Sequence, residues 1–384
     1  MWKNITGQEK IKENFKSVYK GGKIAHAYLF YGNEGIGKDA FAIELAKLLN
    51  CRNVKNGDEA CDKCENCKKL SSLRSELLQL ICALPAGKSD DSDSDTIDKL
   101  SSSDFDAYME ELEAKSENHY HHINLPNANN IRIGSIRDLV SKIYLSTRAG
   151  NVKVFLISEA EKMRQEAANS LLKILEEPPK NSVIILTTSK INSLPQTIIG
   201  RCQKIHFEPL TNEQIQAKLS ETLALSGAER TGYSKKEISL ASNLSQGSYT
   251  RAAQLLEMGV DEIRDTAIKY LLSLLKDNYA ETVLISRNVT AKNDKAKTRY
   301  FLFFLNIWFR DLMHIKYSKK PDKEPISNAD LLERLTKLNS NYPNADLFKI
   351  IIELEEAEKL ISQNVQLTLI LVNLAFKMKR HFNS

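Results

Sequence analysis

The residues with the most specific chemical meaning form a glycine-rich loop, Gly32-Asn33-Glu34-Gly35-Ile36-Gly37-Lys38. The loop follows a short apolar run and precedes a helical pattern, and its G-x-x-x-x-G-K spacing is typical of loops that bind phosphate. Backbone N–H groups in such a loop surround phosphate oxygens, and the lysine reaches the outer phosphates. We therefore predict a nucleotide-binding loop with contact residues Gly32, Gly35, Gly37 and Lys38.

The metal-binding part of the same predicted site is altered. Asp39 stands where a Ser or Thr normally offers a hydroxyl to Mg²⁺. The apolar strand predicted at 152–157 is followed by Ser158-Glu159, where phosphate-loop ATPases carry a Mg²⁺-binding Asp and then a Glu. Because both changes affect one metal ion, we predict a degraded Mg²⁺ site and no hydrolysis. Binding of ATP or ADP through Lys38 stays open at this point.

Four of the six cysteines lie within seventeen residues, at C-x9-C-x2-C-x2-C spacing. They are Cys51, Cys61, Cys64 and Cys67. Four thiolates at this spacing match a tetrahedral Zn²⁺ site that is closed by protein ligands and is therefore structural. Two disulfides are the alternative, but the sequence shows no secretion signal, and thiols stay reduced inside cells. We predict structural Zn²⁺, and we expect Cys82 and Cys202 to be buried as small hydrophobic residues.

Composition and charge favour a soluble protein of the cytoplasm. Hydrophobic residues make up 42% of the chain and charged residues 27%, as in ordinary globular proteins. No apolar run approaches the ~18 residues of a membrane span. The net charge of +5 conceals an acidic stretch at 89–117 with eleven acids and a balance of −9, so the remainder carries +14. A basic remainder suits association with nucleic acid, although dispersed surface lysines explain the same charge equally well.

Residues 89–130 resemble an insertion in an otherwise regular pattern. Its first part, Ser89–Asp95, is acidic and of low complexity, so we expect it to be solvated. A short helix is predicted around Tyr108–Leu112. The histidines that follow, at positions 119, 121 and 122, are expected on the surface. The role of the insertion is open between a tether and a contact for a basic partner.

Hydrophobic periodicity outlines the remaining elements. Helices are predicted at 8–20, 38–49, 134–146 and 165–175, and strands at 27–31, 152–157, 182–188 and 205–207. Alternation of strands and helices around a glycine loop predicts a parallel sheet with helices on both faces. Beyond residue 211 the pattern is almost entirely helical. We therefore predict a core at 1–208, a helical lid at 209–260 and an all-helical region at 261–384.

Three segments carry a resemblance to a known family. They are Ile5-Thr6-Gly7-Gln8, His26-Ala27-Tyr28-Leu29-Phe30, and the helix end Ala168-Asn169-Ser170-Leu171-Leu172-Lys173-Ile174-Leu175-Glu176-Glu177-Pro178-Pro179. With the cysteine module after the first glycine-loop helix, the chain resembles the delta-prime family of bacterial DNA polymerase III clamp-loader subunits. The match covers 1–88 and 131–210 well, whereas 89–130 matches poorly.

The resemblance implies an AAA+ core with a zinc module at 51–67, a small helical lid and a C-terminal helical collar. Collars of five subunits form a ring in this family, so the expected partners are gamma/tau and delta subunits, the sliding clamp and primed DNA, without a membrane. The delta-prime member does not hydrolyse ATP but projects an arginine into the ATP site of a neighbour. That arginine corresponds to Arg201, within Gly200-Arg201-Cys202. Gly200 replaces the family's Ser, which leaves its effect on the motif open.

The lid motif of the family is also altered. Active relatives have a glycine-serine pair followed by an arginine that senses nucleotide. Aligning on Gly247 places Thr250 at the sensing position and Arg251 one residue later. A shift of one residue turns a helical side chain by about 100°, so we expect Arg251 to point elsewhere.

Two other functions are weighed against a non-hydrolysing subunit. An active gamma/tau-type ATPase has the same fold and zinc module, but it predicts Ser or Thr at position 39 and Asp at position 158. A zinc-dependent nucleic-acid-binding protein accounts for the cysteines and the basic charge. It leaves the glycine loop and the long helical region unexplained.

Overall fold

The computed structural model describes residue 2 and residues 4–85, 97–145, 150–225, 233–318, 326–363 and 365–382. The predicted acidic run Ser89–Asp95 lies outside these ranges. So do Gly227, near which the sequence also indicates a turn, and most of the less regular stretch near 319–326. The chain forms two compact units. The first unit comprises Met1–Gly227 with Gly247–Arg251, and the second comprises Ala228–Gln246 with Ala252–Ser384.

The first unit is built on a parallel sheet. Its strands are β1 (Ala27–Tyr31), β2 (Leu78–Ile81), β3 (Lys153–Ile157), β4 (Ser182–Thr188) and β5 (Gln203–His206). They lie in the order β2-β3-β4-β1-β5, and every neighbouring pair is parallel. Parallel strands with buried apolar residues on both faces require helices above and below them. The carboxyl ends of β1, β3 and β4 therefore meet at one edge of the sheet.

The helices of the first unit cover both faces of this sheet. They are α1 (Glu9–Lys20), α2 (Lys38–Asn50), α3 (Glu65–Ser71), α4 (Ser102–Glu117), α5 (Ile133–Ile143), α6 (Gln165–Glu176), α7 (Gln196–Ile199) and α8 (Asn212–Leu225). Side chains of β1 alternate between the two faces, as the strand period requires. Phe30 packs against aromatic residues of α1 and α2, whereas Leu29 belongs to the core formed with α5 and α6.

The second unit is helical. It contains α9 (Lys235–Leu244), the later residues of α10 (Tyr249–Glu257), α11 (Val260–Leu275), α12 (Tyr279–Val289), α13 (Lys295–Tyr317), α14 (Leu332–Asn341), α15 (Leu347–Ser362) and α16 (Leu367–Phe382). Helix α11 packs on α12 and α13, and α15 packs on α13 and α16. The aromatic cluster near Trp308 lies in this packing, since Phe301, Phe304 and Phe309 are buried. These aromatic residues therefore belong to the core of the second unit.

The predicted parallel α/β core and the helical C-terminal region are confirmed. Several elements differ from the prediction: β2, α3 and α7 were not predicted, and α4 is much longer than the expected helix at Tyr108–Leu112. The boundaries at 208/209 and 260/261 stay predictions, as do the lid and collar. Within the described ranges, no helix combines the length and the apolar character needed to cross a membrane.

Candidate functional site

The glycine loop connects the carboxyl end of β1 to the start of α2, as its sequence pattern requires. Gly37 has a φ of 95° and precedes the first residue of α2. A Cβ at this position would lie 2.6 Å from Cε1 of Tyr120. Glycine is therefore needed here both for the left-handed backbone and for the close approach of the Tyr120 ring.

Lys38 is turned toward its own loop. Its ammonium donates to the carbonyl oxygens of Gly32 at 2.9 Å and Asn33 at 2.6 Å. Burial lowers the pKa of Lys38, and nearby carboxylates, Asp39 first among them, offset this only in part. The lysine thus stabilises the closed loop with the group that would otherwise reach a phosphate.

Asp39 lies where the ends of β3 and β4 meet the start of α2. Ser158 Oγ donates to Asp39 Oδ2 at 2.7 Å, and Thr187 Oγ1 donates to Asp39 Oδ1 at 2.7 Å. The ammonium of Lys115 lies 3.1 Å from Asp39 Oδ2. The two residues predicted to be altered in the Mg²⁺ site, Asp39 and Ser158, therefore bond to each other, and a lysine from the insertion supplies the cation.

The groups around Asp39 stabilise the ionised form of its carboxylate. Burial alone would raise the pKa of Asp39. The Lys115 ammonium and the hydroxyls of Ser158 and Thr187 outweigh burial, and the pKa falls from 3.8 to about 2. Favourable bonds to the charged form are the cause of such a depression.

We expect this pKa to make stability depend on pH in acid. Because the folded-state value is depressed, the stabilisation is fully present above pH ~4 and is lost as the pH falls toward 2. The difference corresponds to about 2 kcal/mol. Urea unfolding at several pH values should show the free-energy advantage of the wild type over Asp39→Asn shrinking by that amount. A constant difference across this range would contradict the depressed pKa. The Lys115→Met/Asp39→Asn variant, which lacks the ion pair, provides the baseline.

Residues 118–122 cover the loop. The Tyr120 phenol oxygen accepts the N–H of Thr6 at 2.9 Å, and burial raises the pKa of this tyrosine to about 12. His119, expected on the surface, is instead only 8% exposed, and its Nε2 lies 3.0 Å from the carbonyl oxygen of Ser71. The surface prediction for His119 was wrong because the histidine belongs to an ordered segment packed between α3 and the loop.

The space left around the loop is small. A cavity of about 60 Å³ is bordered by the glycine loop, the Lys115–His122 segment and the ends of β3 and β4. Sites for small ligands usually measure roughly 300–1,000 Å³, whereas a few water molecules fit in this volume. Glu159, which keeps the Glu that such ATPases carry after the Mg²⁺-binding position, has a φ of 53° and pairs with Lys162 at 2.7 Å. The free space directly against the glycine loop is thus of water size in this arrangement.

The four clustered cysteines come together as predicted. Their sulfur atoms lie within 4.8 Å of one another, and the Sγ atoms of Cys61 and Cys67 are 3.9 Å apart. Tetrahedral Zn–S bonds of ~2.3 Å place sulfurs about 3.8 Å apart. All of these cysteines are free thiols rather than disulfides. The geometry fits a structural Zn²⁺ ion held by Cys51, Cys61, Cys64 and Cys67.

Backbone donors around the cysteines also suit a metal. Cys64 N–H donates to Cys61 Sγ at 3.3 Å, and Cys61 N–H donates to Cys51 Sγ at 3.2 Å. The N–H groups of Lys63 and Cys64 lower the pKa of the Cys61 thiol to about 6. Because zinc binds thiolates, donors that favour the charged sulfur favour the metal. The cysteine-bearing loop at 51–67 also contacts α2, since Asp62 pairs with the buried ammonium of Lys47.

Arg201 lies apart from the glycine loop and does not border its cavity. It follows α7, and its Nη1 donates to the carbonyl oxygen of Thr197 at 2.8 Å. Its Nη2 forms an ion pair with Glu176, at the end of α6. The Arg201 side chain is 34% exposed, so part of it is accessible from outside. The neighbouring Cys202 is buried in the core, as expected.

Sequence comparison identifies the family. A family profile described as DNA polymerase III, delta subunit, matches residues 7–211, which is more than half of the chain. The chain belongs to this family. The matched region of the delta-family chain includes the glycine loop, the cysteine module and Arg201. The predicted resemblance to clamp-loader subunits is therefore confirmed at the level of the family.

Curated relatives carry tau and gamma names. The chain is 28% identical to the DNA polymerase III subunit tau of Bacillus subtilis over 91% of its own length and 56% of that protein. It is 26% identical to subunit tau of Escherichia coli over 76% of its length and 38% of that protein. The delta-family chain thus spans about half, or less, of these relatives.

Among solved structures, a DNA polymerase III gamma subunit-related protein from Thermotoga maritima aligns with nearly the whole chain. It is 15% identical, covers 97% of this chain and 99% of the other, and has a TM-score of 0.45. At a TM-score below 0.5, this likeness carries no inference about the delta-family chain.

Proposed function

We propose that this chain is a non-hydrolysing, delta-prime-type subunit of the bacterial DNA polymerase III clamp loader. As part of that complex it would help to place the sliding clamp on primed DNA. The observation that carries the proposal is the cation at Asp39, because the ammonium of Lys115 lies 3.1 Å from this carboxylate. An ATPase of this class needs Mg²⁺ at that place to neutralise charge on the β- and γ-phosphates.

The catalytic contribution assigned to this chain is Arg201, acting in trans. A guanidinium aimed at a γ-phosphate stabilises the charge of the transition state. The partial exposure of Arg201 supports a role in the site of another subunit, as does its position outside the lining of the chain's own loop cavity. The bond from its Nη1 to the carbonyl oxygen of Thr197 supports a guanidinium held beside α7 despite Gly200.

The proposed architecture is an AAA+ core at 1–208, a lid at 209–260 and a collar at 261–384. The collar would join gamma/tau and delta subunits in a hetero-pentamer in the cytoplasm. Structural Zn²⁺ at the four cysteines would hold the 51–67 loop against α2. The parallel sheet supports the proposed core, and the helices of the second unit support the proposed collar.

A second candidate is an active gamma/tau-type ATPase. It is favoured by the names of the matched relatives, which are tau and gamma subunits. The residues at the loop argue against it. Ser158 carries no charge for a metal, and Asp39 is already engaged by Ser158, Thr187 and Lys115.

ATP hydrolysis by the purified chain separates the two candidates. We expect turnover at the background level, because the Mg²⁺ position is taken and the loop is closed. A gamma/tau-type subunit assayed under the same conditions is the positive control. Robust turnover by the isolated chain, lost in a Lys38→Ala variant, would contradict the proposed function and support the alternative.

A further inference from the structure

The segment Lys115–His122, which runs from the end of α4 into the following loop, contacts the glycine loop from outside. Lys115 bonds Asp39, and the Tyr120 ring lies against Gly37. The carbonyl oxygen of Tyr120 accepts the hydroxyl of Thr250 at 2.8 Å. These contacts join the segment to three parts of the site, so it is a component of the site rather than a surface loop.

The Lys115 side chain is buried along its whole length. The residue is only 2% exposed, and its ammonium also donates to the carbonyl oxygen of His121 at 2.7 Å. A buried ammonium persists only where an opposite charge and hydrogen bonds compensate for its lost hydration. Asp39 provides the charge, and its two oxygens also receive the Ser158 and Thr187 hydroxyls. The carboxylate is therefore satisfied without a metal.

Tyr120 occupies the room above the loop. Its ring lies so close to Gly37 that an added Cβ would clash with it, and it packs edge-on against Tyr249 with ring centres 4.9 Å apart. The N–H of Thr250 also donates to the carbonyl oxygen of Gly35 at 3.3 Å. Thr250, the residue at the expected sensing position, thus contacts both the loop and the segment.

We propose that Lys115–His122 is a built-in ligand of the glycine loop. The ammonium of Lys115 takes the place of the divalent cation, and Tyr120 takes up the space above Gly37. The loop and residues 248–250 are thereby held together by the chain itself, without nucleotide. The meaning of this device in the assembly rests on the proposed function, whereas its geometry concerns this chain alone.

Nucleotide titration of the unmodified chain is the first test. We expect calorimetry to detect no binding of ATP or ADP up to about 1 mM, with or without MgCl₂, and no rise in Tm. A dissociation constant in the micromolar range would overturn the built-in ligand. That result, without hydrolysis, would leave the proposed function standing, so the two failures are distinguishable.

Removal of the ammonium is the second test. In Lys115→Ala, Asp39 is left with two hydroxyl neighbours, which together form a set of hard oxygen ligands suited to Mg²⁺. We expect Tm to fall by about 6 °C or more, because a buried ion pair loses one partner. MgCl₂ at about 10 mM should then raise Tm of this variant by about 2 °C or more, and leave the wild type unchanged.

Two control variants and a salt control make the metal response specific. Lys115→Ala/Asp39→Asn lacks the carboxylate and should not respond to MgCl₂. Lys142→Ala removes an exposed ion pair with Asp138 and should barely change Tm. NaCl of equal ionic strength corrects for screening. A Lys115→Ala chain with wild-type Tm, or an equal response of the double variant, would overturn the proposal. If Lys115→Ala does not fold, the titration of the unmodified chain decides.

Discussion

Clamp-loader complexes assembled with the Arg201→Ala chain are expected to hydrolyse ATP about 10³-fold or more slowly at the neighbouring site. This is the range found when an arginine finger is removed. Arg201 lies on the surface in an ion pair with Glu176. Because exposed ion pairs contribute little to stability, the variant should fold and assemble normally.

A pre-steady-state measurement isolates this effect from the other ATP sites. In complexes with the Arg201→Ala chain, the amount of ATP hydrolysed in the rapid phase should fall by the amount bound at one site. The remaining sites should react at their usual rate. Arg201→Lys keeps the charge but loses the planar fork, so we expect only partial recovery. Lys204→Ala, an exposed residue of β5, should leave hydrolysis unchanged.

Glu176 offers a separate control for the same assignment. Glu176→Gln removes the negative partner of Arg201 but leaves the guanidinium in place. A finger should tolerate this change, because its target is the phosphate of another chain. A loss as large as that of Arg201→Ala would show that the ion pair acts through local structure and would contradict the role in trans.

Loss of zinc is the other change with a large expected effect. We expect the purified chain to carry one Zn²⁺ ion and Cys64→Ser to carry none. The free energy of unfolding of this variant should be lower by several kcal/mol, which lowers the denaturant concentration at its midpoint. Structural zinc contributes directly to folding, with apparent binding energies of ~10–16 kcal/mol in small zinc domains. The released loop includes Asp62, so the buried Lys47 would lose one of its two carboxylate partners.

Metal analysis and thiol titration test the zinc prediction. Cys82→Ala, which changes a buried thiol outside the cluster, should keep the ion. One zinc retained by Cys64→Ser would contradict the ligand set. Four thiols that become reactive only after reduction would instead favour the two disulfides considered from the sequence.

Much of the core could be predicted from the sequence because its signals are local. The strands at 27–31 and 182–188 are recovered as β1 and β4 with the predicted bounds. Continuous apolar runs between turn residues define such strands. The cysteine cluster was predicted from spacing alone, since the short intervals leave few ways to arrange the thiols. The strand β2 was missed, because four residues are too few to establish a period.

The occupant of the glycine loop was not predicted, because it depends on contacts between residues far apart in sequence. Lys115 and Asp39 are brought together only by the folded core. One local signal was available. Tyr108, Leu112 and Lys115 follow helical spacing on one side of α4, and Tyr108 and Lys115 are both buried. A lysine that continues an apolar helical stripe is a candidate for a buried charge with a distant partner.

Because the ammonium of Lys115 is part of the chain, the glycine loop would not respond to the concentrations of nucleotide and Mg²⁺ in the cell. A free ligand dissociates when its concentration falls, whereas a group on the same chain keeps a constant effective concentration of roughly millimolar or above. The state of the loop would thus be independent of energy supply and of magnesium level. In an assembly whose other members change state with each round of hydrolysis, this subunit would not change state through its own loop. Its conformational changes would be driven entirely by its neighbours.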